Sequence, residues 1–472
     1  MSALRPESPD LAERREAVSL EEFHGTVPSP APGARPWRQY AAFFGPALLI
    51  SVGYMDPGNW ATDLQAGAQF KYDLLWIVGL ASLMAVFLQV ASARLGLATG
   101  RDLAQCCRDH LPKWTRWPNY LSAEAAIMAC DLAEILGSAV AIHLLFPRIT
   151  LLLAVCITAF DVLLLLSLQR LGLRMIEAFV LVLVATIAGC YFTEIFVLAQ
   201  TAPSFREMGR GLFAPDLPAF FHNKDLVYVA IGIIGATVMP HNLYLHSALV
   251  QSRKVQNDEP SRRQAVRYNT LDTTVALSAA FFVNAAILVL AAIVFYGKDQ
   301  VTLASGQVVT FGADADWIQV AYLTLAPLLG TALASLLFAV ALLASGQSST
   351  ITGTLAGQVV MEGFMHWKIT PWVRRLVTRL CAIVPTIIFV ARRGDRSVND
   401  LLTLSQVVLA MQLPLAMFPL MYFACSKQRM GAHRLGWFLM LTGWSSCLLI
   451  TLLDIYGLPD ALREAWAVLA GH

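Results

Sequence analysis

Two short motifs concentrate the groups that could do chemistry. The first is Asp56-Pro57-Gly58-Asn59 and the second is Met239-Pro240-His241-Asn242. Each lies at the centre of a long apolar stretch, FFGPALLISVGYMDPGNWATDLQAGAQF and LVYVAIGIIGATVMPHNLYLHSALV. Proline removes a helical hydrogen bond and clashes with the preceding turn, and an adjacent glycine weakens the helix further. The motifs therefore predict two helix breaks. Beside the unwound backbone they offer a carboxylate (Asp56), an amide oxygen (Asn59), carbonyls and a thioether (Met239). Oxygen donors suit hard or borderline divalent cations, and the thioether favours softer transition metals over magnesium or calcium. Neither break holds a basic residue, which argues against an anionic substrate. Taken singly, each feature has a plainer reading. Span 6 could hold an ordinary proline kink with a satisfied histidine, and a methionine is a routine core filler. A surface turn at Asp56 is disfavoured, because its flanks are too short for two crossings.

Other polar groups recur along the apolar stretches. Glu124, Asp131 and Glu134 occur in EAAIMACDLAE. Offsets of seven and ten residues place all three on one side of a helix. Carboxylates inside a bilayer line a wet path or pair with cations. Arg374 and Arg375 are the candidate partners. The group reads either as a static ion-pair network or as a proton relay of interacting carboxylates. His241 can exchange protons near neutral pH. Gln406 in LTLSQVVLAMQLP is a hydrogen-bonding link or a further site residue. Asn284 and Gln89 are weaker candidates, and His246 reads as interfacial. Asp161, Glu177 and Glu194 carry no assignable role.

The elements that must position these groups follow from composition. Of the 472 residues, 57% are hydrophobic and 14% are charged, where a soluble domain carries roughly 25% charged residues. That excludes a soluble enzyme, a nucleic-acid module and a disulfide-rich secreted domain. The net charge of +2 implies no polyanionic partner. The eight cysteines show no CxxC pair and read as packing residues.

Taking about 20 apolar residues per crossing, eleven spans fall near 42–69, 73–98, 119–147, 150–168, 173–200, 225–250, 270–297, 329–360, 372–391, 397–425 and 435–457. Pro327 is expected to separate a short outer segment from span 8. With the N-terminus inside, the tail, the inner loops and their helix ends hold 24 of the 34 Lys and Arg residues. The positive-inside rule therefore favours a cytoplasmic N-terminus and, with an odd number of spans, an external C-terminus. Residues 1–41 read as a flexible cytoplasmic tail with one short helix around 10–22. They are followed by a five-helix repeat over 42–200, an external loop over 201–223 and a second five-helix repeat over 224–425. Residues 426–472 add the eleventh helix and the C-terminus. The broken spans 1 and 6 lie five crossings apart and so run in opposite directions. Two inverted repeats, each led by a discontinuous helix, form the pattern of secondary transporters.

These motifs also carry a family likeness. DPGN in span 1, MPHNLYLHSALV in span 6 and GQSSTITGTLAGQVVMEGF at 346–364 resemble the Nramp family of proton-coupled divalent metal transporters. The likeness runs from about 42 to 425. It implies an all-α integral membrane protein with the LeuT-like 5+5 inverted repeat. It also implies alternating-access import of manganese or ferrous iron across the plasma (inner) membrane, with cadmium, cobalt and zinc as further candidates. The metal is then a substrate, and no cofactor is permanently bound. On the resemblance the metal ligands are Asp56, Asn59, the carbonyl of Ala236, and Met239, joined by Gln406. The proton-linked residues are His241, Glu134 and Asp131, with Arg374 and Arg375; the helical spacing adds Glu124.

The alternatives are a broader divalent-cation or magnesium carrier, a metal channel and an intramembrane enzyme. A channel does not need paired broken helices. Asp131 and Glu134 alone do not make a catalytic diaspartate.

Overall fold

The computed structural model describes residues 18–31, 33–158, 160, 172–198, 203–298, 300–302, 308–310, 317–329, 332–367, 369–370, 373–374, 377–378, 380–384, 386–387 and 398–470. Among the described residues, eight helices are long and apolar enough to cross a membrane. They are Leu75–Thr99, Lys113–Leu145, Leu173–Val197, Lys224–Ser252, Glu259–Val294, Leu333–Met365, Leu404–Ala424 and Trp437–Pro459, corresponding to spans 2, 3, 5, 6, 7, 8, 10 and 11. The other three expected spans are accounted for separately. Span 1 is divided into Pro46–Gly53 (span 1a) and Pro57–Phe70 (span 1b), each too short to cross alone. Span 4 is described over Leu151–Thr158 only, and span 9 over short helical stretches between 373 and 387.

Spans 1, 6, 3 and 8 form the centre. Span 1b packs against spans 6, 7 and 10, and span 3 packs against span 8 and span 10. Span 6 divides into Lys224–Thr237 (span 6a) and Pro240–Leu249 (span 6b). The connection between spans 5 and 6 holds two short helices, Phe205–Phe213 and Leu217–His222.

Two expectations change. Pro327 does not form the boundary before span 8. It lies inside the helix Trp317–Leu329, and span 8 begins at Ala332. The tail is also not free along its described length. Of the short helix expected around 10–22, residues 10–17 lie outside the described residues, and residues 19–25 form turns. Leu20, Phe23 and Val27 are buried. The Leu20 amide donates to Glu362 Oε2 (2.9 Å), and the Gly25 amide donates to the Gln251 carbonyl (3.0 Å). A parallel ladder pairs strand β1 (Val27–Pro28) with strand β2 (Arg253–Lys254). Charge suggested solvation here, but three apolar side chains at 20, 23 and 27 are buried where the segment meets the ends of spans 6 and 8.

Under this strap lies Asp102, which caps the helix Leu103–His110 in a reciprocal capping box with Gln105. Burial pushes its carboxyl up to about 6, against the opposing pull of the Ser19 hydroxyl and the Gln105 amide. A raised carboxylate pKa means that the folded state holds a proton the unfolded state has lost, between about 4 and about 6. Stability from this group therefore falls as pH rises through that window. Asp102→Asn, which keeps the cap, is expected to melt higher than the parent above pH 6, by about 3 kcal/mol at most. The gap should close as the pH falls towards 4. A gap independent of pH in thermal melts would show that Asp102 is not buried by the strap.

Candidate metal-binding site

The two breaks share one chemical logic. In a regular helix the carbonyl of residue 53 would accept from the amide of residue 57, and that of 236 from the amide of 240. Both acceptor turns meet a proline, which has no N–H. The carbonyls of Gly53 and Ala236 are therefore released. Each second half then restarts with proline at its first position, where the missing N–H costs nothing. Asp56 is the N-cap of span 1b, its side chain accepting from the Asn59 amide (2.8 Å). Met239 occupies the same place before span 6b.

Asn59 joins the two breaks. Its Nδ2 donates to Asp56 Oδ1 (2.6 Å), to the Ala236 carbonyl (3.0 Å) and, at 3.5 Å, to the Gly53 carbonyl. Three oxygens thus converge on a single donor. The second carboxylate oxygen, Asp56 Oδ2, is buried without a partner. Met239 is fully buried. Its sulfur receives Asn242 Nδ2 at 3.5 Å and would lie 3.4 Å from a Cβ placed on Gly53. Gln406 reaches the site from span 10. Its amide nitrogen would be 2.0 Å from a Cβ on Gly58, and its Oε1 has no partner. The structure therefore gathers Asp56, Asn59, Ala236, Met239 and Gln406 around the two breaks. A single carboxylate surrounded by neutral oxygens and one thioether matches the donor set of a borderline divalent cation. Among the described residues there is no group of three or more His, Cys, Asp or Glu that could hold a metal instead.

Further residues complete this region that the sequence reading ranked low or missed. Asn284 Nδ2 donates to the Tyr54 carbonyl (2.8 Å) and lies 3.4 Å from Asn59 Oδ1. Gln89 donates to the Tyr54 hydroxyl (2.8 Å) and meets His246 Nδ1 (2.9 Å). His246 is consequently buried inside the bundle rather than interfacial. Its place on the helix, one turn and a half beyond His241, was the available signal.

A second polar line runs along span 3. Pro57 of the break packs on Gly137, where a Cβ would come within 2.1 Å. One turn along, Glu134 Oε2 accepts from Thr350 of span 8 (3.0 Å). Glu134 and Asp131 both face Gly353, at 3.0 and 3.6 Å from a Cβ there. At the far end Glu124 accepts from Arg374 Nη2 with both oxygens (2.8 Å each). Arg375 lies outside the described residues. His241 is buried, with neither ring nitrogen partnered. The three carboxylates share one side of span 3 by helical spacing, and Glu124 is tied to Arg374.

On the face bearing the N-terminal strap, a polar cluster holds the start of span 1a. The Phe44 carbonyl accepts from Arg174 and Arg253 (2.7 Å each). Glu177 accepts from both arginines (2.8 Å each). Asp272 holds the Ala47 amide at the start of span 1a (3.1 Å).

Residues 47–460 match the family described as natural resistance-associated macrophage protein-like, or Nramp. The chain belongs to the Nramp family. Among its Nramp relatives are proteins named divalent metal cation transporter MntH. That of Mesorhizobium japonicum is 45% identical over 94% of each chain, and that of Bradyrhizobium diazoefficiens is 47% identical over 94% of each. A crystal structure of the Eremococcus coleocola manganese transporter, in complex with an aromatic bis-isothiourea substituted compound, superimposes with a TM-score of 0.82. It is 36% identical and covers 96% of both chains. The all-α, LeuT-like Nramp fold expected from the sequence is therefore the fold of this chain.

The close approaches in this Nramp site make a contrast that can be measured. A Cβ on Gly235 would lie 2.1 Å from the Gln406 backbone carbonyl, whereas one on Gly58 meets only the end of the Gln406 side chain. Backbone cannot step aside as a side-chain tip can, and overpacking costs typically 1–3 kcal/mol or more. Gly235→Val is expected to lower the melting temperature sharply or abolish monodisperse protein. Gly58→Ala is expected to fold with Gln406 displaced. Equal tolerance of both in size-exclusion and melting assays would contradict the packing of span 6 on span 10.

Proposed function

We propose that the protein is a secondary transporter that imports divalent transition-metal ions, manganese or ferrous iron, into the cytosol together with protons. The observation that carries this reading is the bridge at Asn59, where one side chain from the span 1 break meets a carbonyl released by the span 6 break. The names of the relatives, divalent metal cation transporter and manganese transporter, support the same substrate class. Asp56 supplies the formal charge that attracts the ion. Asn59, the Ala236 carbonyl, Met239 and Gln406 replace part of its hydration. Turning the Asn59 amide over would present Oδ1 to the ion, the two ends of an amide being alike in shape. Alternating access then exposes this midplane site first to one side and then to the other.

The proton branch is assigned to Glu134 and Asp131 on span 3, with His241 and the Glu124–Arg374 pair. Glu134 lies beside the break, about 15 Å along the helix from Glu124 at 1.5 Å per residue. The strap and the Arg174–Arg253–Glu177–Asp272 cluster mark the cytoplasmic face, as the positive-inside bias suggests. A plasma-membrane location with the N-terminus cytoplasmic and the C-terminus external follows the same bias.

Uptake into proteoliposomes carrying an interior pH dye tests the whole reading. Saturable manganese uptake with interior acidification is expected, and high flux without acidification would favour a channel. Asp56→Asn should lower manganese affinity by more than the roughly 10–100-fold that loss of an outer-shell partner costs. Near-normal uptake by that variant would remove the site assignment. Glu134→Ala or His241→Ala should uncouple acidification from uptake more than it weakens metal binding. Normal coupling in both would make span 3 a structural network.

Met239→Ala removes the soft side-chain donor of the span 6 break. Cadmium uptake should fall more than manganese uptake, and calcium or magnesium should compete better. An unchanged cadmium-to-manganese ratio would reduce Met239 to packing.

A further inference from the structure

On the face that carries the N-terminal strap, a cavity of about 340 Å³ opens between spans 2 and 7 and the connection from span 10 to span 11. Its walls include Arg94 of span 2, Arg263, Arg267 and Thr270 of span 7, and His433 and Arg434 of the connection. These cationic groups come from three separate segments and meet only in the folded chain.

Their own partners do not balance them. Arg263 Nε bonds Glu259 Oε1 (2.9 Å), one turn earlier on the same helix. His433 Nε2 stands 3.3 Å from the other oxygen of Glu259. Arg94, Arg267 and Arg434 have no hydrogen bond or ion pair to a described residue, and Arg94 Nε is buried without a partner. Glu259 thus offsets one of four guanidinium charges. The positive-inside rule accounts for basic residues on this face. It does not account for their convergence on one concavity, where like charges repel.

The surroundings show what kind of anion fits. Arg267, Leu271 and Val275 are spaced four residues apart and share one face of span 7, and Leu271 and Val275 are 46% and 47% exposed. Immediately after Arg434, span 11 presents Trp437, Phe438 and Leu441, all exposed. Phe438 packs edge-on against Phe87 of span 2 (5.9 Å). Phe87 lies two turns from Arg94 on the same helix face. Span 2 packs against both span 7 and span 11 and forms the floor between them. The groove is therefore cationic at its base, aromatic at its collar and aliphatic beyond, as phospholipid sites on the cytoplasmic side of membrane proteins are.

We propose that this groove binds an anionic phospholipid of the surrounding membrane. The phosphate seats among Arg94, Arg267 and Arg434, and the acyl chains lie along Leu271 and Val275 on one side and Phe438 and Leu441 on the other. Such a lipid ties span 2, span 7 and the connection before span 11 together. The site depends on the chain lying in a membrane and not on what it transports.

The test uses the full-length protein in neutral detergent. Thermal stabilisation is titrated with phosphatidylglycerol, with phosphatidylcholine and with inorganic phosphate at fixed ionic strength. Saturable stabilisation by phosphatidylglycerol alone is expected. The double variant Arg267→Gln/Arg434→Gln changes two exposed, unpaired side chains. It should weaken half-saturation by about 25-fold, at roughly fivefold per arginine. Adding Arg94→Gln should bring the loss to the order of a hundredfold. The Arg267→Lys/Arg434→Lys protein, which keeps both charges, should retain most of the affinity. Unchanged phosphatidylglycerol affinity in the glutamine variant would overturn the proposal. Equal stabilisation by inorganic phosphate would overturn the lipid assignment in favour of a soluble anion. Should the double variant not fold, Arg267→Gln alone must still show the roughly fivefold loss.

Discussion

A backbone carbonyl at mid-bilayer has no water to accept from, and every other feature of this centre follows from that constraint. Two prolines, at 57 and 240, each deprive a carbonyl one turn earlier of its helical donor. Left alone, those carbonyls would each carry the cost of an unmet buried polar group. In this chain they are turned towards a common point and share the amide of Asn59. What would be a defect in a single helix becomes, when two such helices face each other, a set of preformed oxygen donors. Asp56 adds charge to the same point and caps the second half-helix, so one carboxylate serves both local structure and electrostatics.

The polar chains around this centre differ in how completely they are satisfied. On the strap side, Arg174, Arg253, Glu177 and Asp272 clamp the start of span 1a with hydrogen bonds of 2.7–3.1 Å, and Arg253 Nε and Asp272 Oδ1 stay without a partner. Such clusters hold one arrangement, because removing any member leaves a buried charge uncompensated. Along span 3 the pattern is looser. Glu124 is fully engaged by Arg374, whereas Asp131 Oδ1 and both nitrogens of His241 have no partner.

The strap over residues 18–31 belongs to the same face. It joins the ends of spans 6 and 8 through the Leu20 and Gly25 amides and a two-residue ladder with β2, and its side chains at 20, 23 and 27 are buried. The ends of spans 6 and 8 are thus joined by a separate piece of chain. The arginine-lined groove lies on the same face, beside spans 2 and 7.

Much of this was legible in the residues themselves. Hydropathy placed the spans, because a bilayer sets their length. The two proline motifs placed the breaks, because a missing N–H is a local property of the chain. Span 3's carboxylates fell on one face because helical periodicity alone decides that. The tail was misjudged, since composition registers charge but not the burial of three apolar side chains. His246 was placed at an interface although it is buried, because depth depends on which neighbours surround a helix. That Asn59 reaches Ala236, that Gln406 packs on Gly58, and that arginines from three segments line one cavity were settled only by tertiary structure. Those contacts join residues 170 to 350 positions apart, and one-dimensional spacing carries no information about which faces of distant helices meet.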